Sequence, residues 1–206
     1  MKKILLVSLS VLMIAGVSSA SAQMGKKLTL GFGLSFLQNP DTFQDYWKRG
    51  IVGSGAIGFD LIPGLSLHGM LEYNSFPLDE EKIEELFSLV GVASNIDGAD
   101  ISVYSGFVMG KLRLLLAMPG TSPYAIGGVG FVSARIEDIK IGGGSLGDQT
   151  IEFDNETGPA VTLGLGFDLR FAPKIGLYGE VRYVRCFFDS DNLEYIPLKA
   201  GVMIDL

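Results

Sequence analysis

The stretch "GPAVTLGLGFDLRFAPKIGLYGEVRY", residues 158–183, alternates apolar side chains with glycine and charged ones, and a Pro-Lys break divides it in two. In an extended strand successive side chains point to opposite faces, so period two means a strand with two unlike surfaces. Val161, Leu163, Leu165, Phe167, Leu169 and Phe171 share one face. Thr162, Gly164, Gly166, Asp168 and Arg170 share the other.

Working outward from this stretch, the same pattern recurs. Leu28, Leu30, Phe32, Leu34 and Phe36 alternate with Thr29, Gly31, Gly33 and Ser35, and further segments lie near 51–61, 65–75, 102–117, 124–136, 160–171, 175–187 and 196–206. That predicts eight strands. Three connections are short and contain proline, at 62–65, 118–123 and 172–174, whereas those at 37–50, 76–100, 137–159 and 188–195 are long and polar. Strict turn-taking of short and long connections is the meander of an all-β, eight-stranded antiparallel up-and-down transmembrane barrel. A soluble barrel would turn its apolar face inward. The apolar face here is continuous over five or six positions, about the nine to eleven residues that cross a bilayer, and the opposite face suits a small polar lumen. Tyr73, Tyr124, Tyr183 and Phe187 are expected as interfacial girdles.

The N-terminus places the chain outside the cytoplasm. Lys2 and Lys3 precede an apolar run from Ile4 to Val17 and an Ala20-Ser21-Ala22 site, so residues 1–22 read as a secretory signal peptide and 23–206 as the barrel domain. Cys186 is the one cysteine, which excludes an intramolecular disulfide and a lipobox at the cleavage site. Removing Lys2 and Lys3 from the 16 basic residues leaves 14 against 23 acidic ones, a formal charge of −9, which argues against nucleic acid as a partner.

"SPYAIGGVGF" at 122–131 and "GLGFDLRFAPKIGLYGEVRY" at 164–183 resemble the Pro-Tyr, Gly-x-Gly-aromatic and Glu-x-Arg-Tyr pattern of the small OmpA-type and OmpX-type outer-membrane barrels. The resemblance covers the second half by motif and the first by architecture. It implies residence in the bacterial outer membrane, lipid as the surrounding partner and delivery by the barrel-assembly machinery. The ending from Ile196 to Leu206 alternates as an assembly signal does, although Leu206 replaces the aromatic residue often found last. No peptidoglycan-binding segment follows, so a tethering role is not implied.

Several motifs resemble chemistry without the context for it. "GSGAIG" at 53–58 and "GGGSLG" at 142–147 match Gly-x-Gly-x-x-Gly, but neither opens a helix in a β-α-β unit, and the phosphate needs that helix N-terminus. The first is read as close packing inside the barrel and the second as an external loop. His68 shares a polar face with Ser66 and Glu72, which suggests a lipid A-modifying barrel enzyme, yet it falls near a short turn rather than the outer leaflet. An interior hydrogen-bonded histidine is the expectation. Asp189, Asp191 and Glu194 lack calcium-loop spacing, and no His/Cys cluster suits zinc. No cofactor or metal is expected.

The inward charges are the most informative set: Asp60, Glu72, Asp168, Glu180 and Asp205 against Lys111, Arg113, Arg170, Arg182 and Lys199, five of each sign. Charges withdrawn from water are tolerated when paired. They predict an interior ionic network, acting as a closed plug or, alternatively, lining a narrow channel for small solutes of the OmpW-like kind. Glu180 and Arg182 are expected to meet Lys111, Arg113 and Asp168 across the lumen. In the second long connection Ile83, Leu86, Phe87 and Val90 follow helical i, i+3, i+4, i+7 spacing, a stripe for rim packing or an extracellular partner. The expectation is a monomeric, non-enzymatic barrel with a structural or surface-interaction role carried by its external loops.

Overall fold

A computed structural model describes residues 25–39, 47–79, 95–97, 100–114, 120–136, 139–142, 149–151, 155–189 and 191–206. The signal-peptide segment, the mature start at Gln23, the stripe of Ile83, Leu86, Phe87 and Val90, and most of the glycine run at 142–147 lie outside the described residues.

Strands follow the alternating segments. In chain order they are β1 (Lys26–Asn39), β2 (Gly50–Ile62), β3 (Leu65–Phe76), β4 (Asn95–Asp97), β5 (Ile101–Arg113), β6 (Thr121–Ile136), β7 (Ile139–Gly142), β8 (Gln149–Ile151), β9 (Glu156–Arg170), β10 (Ile175–Phe187) and β11 (Asn192–Asp205). Eight of them close into a barrel in the order β1-β11-β10-β9-β6-β5-β3-β2, every neighbouring pair antiparallel. Closure matters because an unpaired backbone group in hydrocarbon costs several kcal/mol, and only a barrel without edges pairs them all. β1, β9 and β11 run further at their external ends than the alternation indicated, to Asn39, Glu156 and Asn192, since polar residues such as Thr157 and Glu194 still belong to the ladder. The remaining three strands form a sheet in the order β4-β7-β8, which joins two of the long external connections. No periodicity announced it, because strands of three or four residues are too short to display one.

Turn chemistry explains the tight end. Gly64 and Gly120 have φ of 88° and 75°, a left-handed conformation that costs glycine little. They reverse the chain where Arg113 and Arg170 donate backbone N–H bonds to Gly64 O at 2.7 Å and Gly120 O at 3.0 Å. These short turns share one end with Gly25 and Leu206, the periplasmic end of an up-and-down barrel.

The exterior of this wall is apolar. Phe32 is 76% exposed, Leu71 73%, Leu163 68% and Leu165 59%, values sensible only if the surrounding solvent is hydrocarbon. Tyr73 and Tyr104 pair at the outer edge of the belt, ring centroids 5.0 Å apart, with Tyr183 also outward. Tyr124 departs from the expected girdle: it is 1% exposed and faces the lumen. "GSGAIG" departs too, since Gly53 has no heavy atom within 4 Å of an added Cβ and Gly55 only a Leu30 methyl; Gly58 alone packs inward, against His68.

Candidate functional site

The lumen is built by the inward phase of all eight strands, and it divides into two halves of different chemistry. Around the middle of the barrel, on the periplasmic side of the apolar layer, Glu72 on β3, Glu180 and Arg182 on β10, and Lys199 on β11 meet near the axis. The Arg182 guanidinium binds Glu72 and reaches Glu180 with Nε–Oε1 at 2.9 Å. Lys199 Nζ lies 2.8 Å from Glu72 and 3.5 Å from Glu180. Two carboxylates and two cations thus neutralise one another, with side chains 0–3% exposed.

Neutral groups complete the shell. Tyr124 donates to Glu180 at 3.0 Å, Asn74 to Glu72 at 3.3 Å, Arg182 to Thr162 at 3.4 Å, and Lys199 to Ser54 at 3.2 Å. Towards the short turns, Lys111 binds Asp168 at 2.8 Å and lies 3.6 Å from the centroid of the Tyr124 ring, a cation–π contact. At the mouth, Asp60 accepts from Lys27 at 2.6 Å and Arg113 at 3.4 Å, and Arg170 pairs with Asp205 at 3.1 Å. Of the charges read as inward, Glu72, Lys111, Asp168, Glu180, Arg182 and Lys199 are buried in the lumen, while Asp60, Arg113, Arg170 and Asp205 pair part-exposed at its mouth, and their contacts fall into four groups rather than one.

The pairing differs from the expected one. Glu180 and Arg182 reach Glu72, Lys199 and Tyr124, while Lys111 serves Asp168 and Arg113 serves Asp60. Barrel closure brings β3 to bear on β10 across the lumen, and the β10–β11 register sets Lys199 directly opposite Glu180, relations that alternation along single strands does not carry. Lys27 is an inward charge that the sequence reading omits. It shares its phase with Thr29, Gly31 and Ser35 on the polar face of β1, so its direction is readable from alternation; so is that of Tyr124, in phase with Ile126 and Gly128.

The external half of the lumen is mainly apolar, contrary to expectation, with Ser35 and Asn74 as its buried polar members. Leu37, Phe76, Ile101, Val103, Val132, Ala160, Val184, Cys186, Leu193 and Tyr195 point inward, in a cluster that continues through Phe107, Met109, Met70, Ala56, Ile126 and Tyr124 beside the ionic groups. Phe76, Val103, Val132, Val184, Cys186 and Tyr195 are 0% exposed. Phe76 and Tyr195 meet edge-on, centroids 6.2 Å apart at 70°, and Trp47 joins from the connection before β2.

Ser66 and His68 stand two residues apart on β3 with Oγ and Nε2 2.9 Å apart. Both are buried inside the barrel, 2% and 4% exposed. At the opposite end, Asp191 accepts from the Asn192 N–H at 2.8 Å, and Glu194 pairs with Arg185 at 3.4 Å while accepting from the Tyr183 hydroxyl. Among the described residues no three His, Cys, Asp or Glu side chains are grouped to hold a metal ion.

This closed wall with a lipid-facing exterior and a filled interior defines a class, the small eight-stranded β-barrel of the outer-membrane type. Solved structures of that class are similar to it in fold. Neisserial surface protein A matches with a TM-score of 0.56 at 14% identity, over 89% of this chain and 97% of that one. The attachment invasion locus protein Ail of Yersinia pestis matches at 0.52 and 14%, over 89% and 100%, and a major outer membrane protein of Thermus thermophilus at 0.51 and 13%, over 88% and 99%. No protein-family model matches the sequence, and no curated protein matches it.

Proposed function

We propose that this outer-membrane barrel is a monomeric, non-catalytic surface protein with a sealed lumen, whose specific work is done by its external connections. The observation that carries the reading is the stacking of two seals in one lumen: six inward side chains with no exposure in the external half, above a neutralised ionic cluster that is 0–3% exposed. An eight-stranded barrel has an interior just wide enough for side chains to fill. A solute would have to part both layers.

The rival channel reading requires a continuous wet path, and an apolar layer with six side chains at 0% exposure opposes it. A lipid-modifying activity is equally ill served, because the Ser66–His68 pair is enclosed by the wall that separates it from lipid. With lumen and wall occupied, the external connections are what remains to meet an extracellular partner. The second and third are bound together by β4 and β7, and Trp47 bridges to Leu78 between the first and the second. One similar structure bears the name of an attachment protein, a role of this kind. Vesicles loaded with a small sugar test the seal: those carrying the protein should release it no faster than empty vesicles. Rapid release would favour the channel.

A further inference from the structure

The two ends of the barrel carry opposite charge. At the external end of β1, β11, β10 and β9, Glu156, Asp189, Asp191 and Glu194 stand against Arg49 and Arg185. At the periplasmic end the balance reverses. The short turns there contain no acidic residue, and the strand ends around them bring Lys26, Lys27, Arg113, Arg170 and Lys174 against Asp60 and Asp205. Lys111 and Asp168 lie deeper and neutralise each other. Asp60 serves Lys27 and Arg113 together, and Asp205 is taken by Arg170. Among the described residues no carboxylate pairs with Lys26 or Lys174. This end therefore keeps three cations in excess, or two once a terminal carboxylate on Leu206 is counted.

The two unpaired lysines flank the end of β11. The Asp205 N–H donates to Lys174 O at 2.8 Å and the Leu206 N–H to Lys26 O at 2.9 Å. Their main chains thus stand on either side of one strand, roughly 10 Å apart at about 4.8 Å per strand spacing. Lys26 occupies the phase of β1 that continues through Leu28, Leu30 and Phe32 onto the lipid-facing wall, and Lys174 is exposed in the turn before β10. Phe171, Ile175 and Leu206 beside them are exposed apolar side chains. Such side chains belong in hydrocarbon, which sets the two ammonium groups at headgroup level, where long cationic side chains place their charge.

We propose that the periplasmic rim around the end of β11 is a binding site for an anionic phospholipid of the inner leaflet, its phosphate held between Lys26 and Lys174. The acyl chains then lie against Leu28, Ile204 and Ile175, which stand in register across β1, β11 and β10 just above the lysines. The two unesterified oxygens of a phosphodiester accept from one ammonium group each, and charge-assisted bonds of this kind are the strong ones. A zwitterionic headgroup brings its own cation into a rim that already has cations in surplus, with Arg113 and Lys27 further round the mouth; a headgroup without one escapes that repulsion. The inference rests on the barrel's membrane orientation, with the short turns at the inner leaflet, and not on whether its lumen conducts.

The test is native mass spectrometry of the full chain in non-ionic detergent, titrated with palmitoyl-oleoyl phosphatidylglycerol or with the zwitterionic phosphatidylcholine of the same chains. The wild type should retain phosphatidylglycerol about tenfold more tightly or better, the effect expected of two lysines near an anionic surface. Lys26→Gln with Lys174→Gln should bring the two lipids close to parity. Arg49→Gln with Arg185→Gln, at the acidic external end, should leave the preference in place. Should the lysine pair impair assembly, Lys174→Gln alone, in a turn outside the strands, should still lower the preference several-fold. Equal retention of both lipids by the wild type would overturn the proposal, and so would an unchanged preference in the lysine variants. A preference lost in the arginine variant and kept in the lysine variant would put the site at the other end. Soluble glycerol 3-phosphate at the lipid's concentration should not displace phosphatidylglycerol; displacement would rule out lipid as the occupant in favour of a soluble anion.

Discussion

The two halves of the lumen close the same space by opposite means. Towards the periplasm charge joins the packing: Glu72, Glu180, Arg182 and Lys199 share one site beside Met70 and Met109, and removal of any member strands a buried partner. Towards the outside it is filled by shape, with Phe76, Val103, Val132, Val184 and Tyr195 interlocked and no charge among them. The contrast shows that a small barrel does not need a uniformly polar interior. An ionic layer fixes which strands face one another, since opposite charges must meet, whereas an apolar layer tolerates a lost methyl group at the cost of a small cavity.

Substitutions turn this contrast into a ranking. The largest effect belongs to the ionic half: Glu72→Gln leaves Arg182 and Lys199 with one carboxylate between them, and breaking a buried pair costs about 3–5 kcal/mol. Urea unfolding in lipid vesicles, followed by Trp47 fluorescence, should show a midpoint lowered accordingly. An unshifted midpoint would mean the cluster is hydrated. Next comes the exterior: Leu165→Arg places a cation against mid-membrane lipid, at about 2–4 kcal/mol, and the heat-modifiable gel band of the assembled barrel should weaken. If it assembled as readily as the wild type, the inside-outside register would be wrong. In the apolar half Ile101→Val should cost only about 0.5–1.5 kcal/mol by the same unfolding assay and should leave the lumen closed. The smallest effect is expected at the rim, where Lys48, half exposed, lies 3.3 Å from Asp79; Lys48→Gln should change stability by less than about 1 kcal/mol. A rim effect as large as that of Glu72→Gln would erase the distinction between buried and exposed pairs.

Much of this architecture was legible in the sequence, for a definite reason. Alternation has period two, and each membrane-crossing segment is long enough to display it, so the number of barrel strands, their faces and the inward direction of buried charges such as Glu72, Glu180 and Arg182 could be read locally. Pairing across the lumen could not. That Arg182 reaches Glu72, 110 positions away, depends on the closure of eight strands, which no window of sequence contains. The apolar external half escaped for another reason: Val103, Val132 and Val184 are β-branched residues that suit either face of a strand, and near strand ends the outward residues turn polar, so alternation loses its contrast.

The central claim is that both halves seal the lumen, and single-channel recording of the purified wild-type protein in planar lipid bilayers tests it most directly. A sealed barrel gives a baseline without steady current at either polarity, and Glu72→Gln lowers stability without creating a defined conductance. Long-lived current steps from the wild type, with an ion preference that shifts in Glu72→Gln while the unfolding midpoint stays in place, would contradict the account and make the ionic half the lining of a pore.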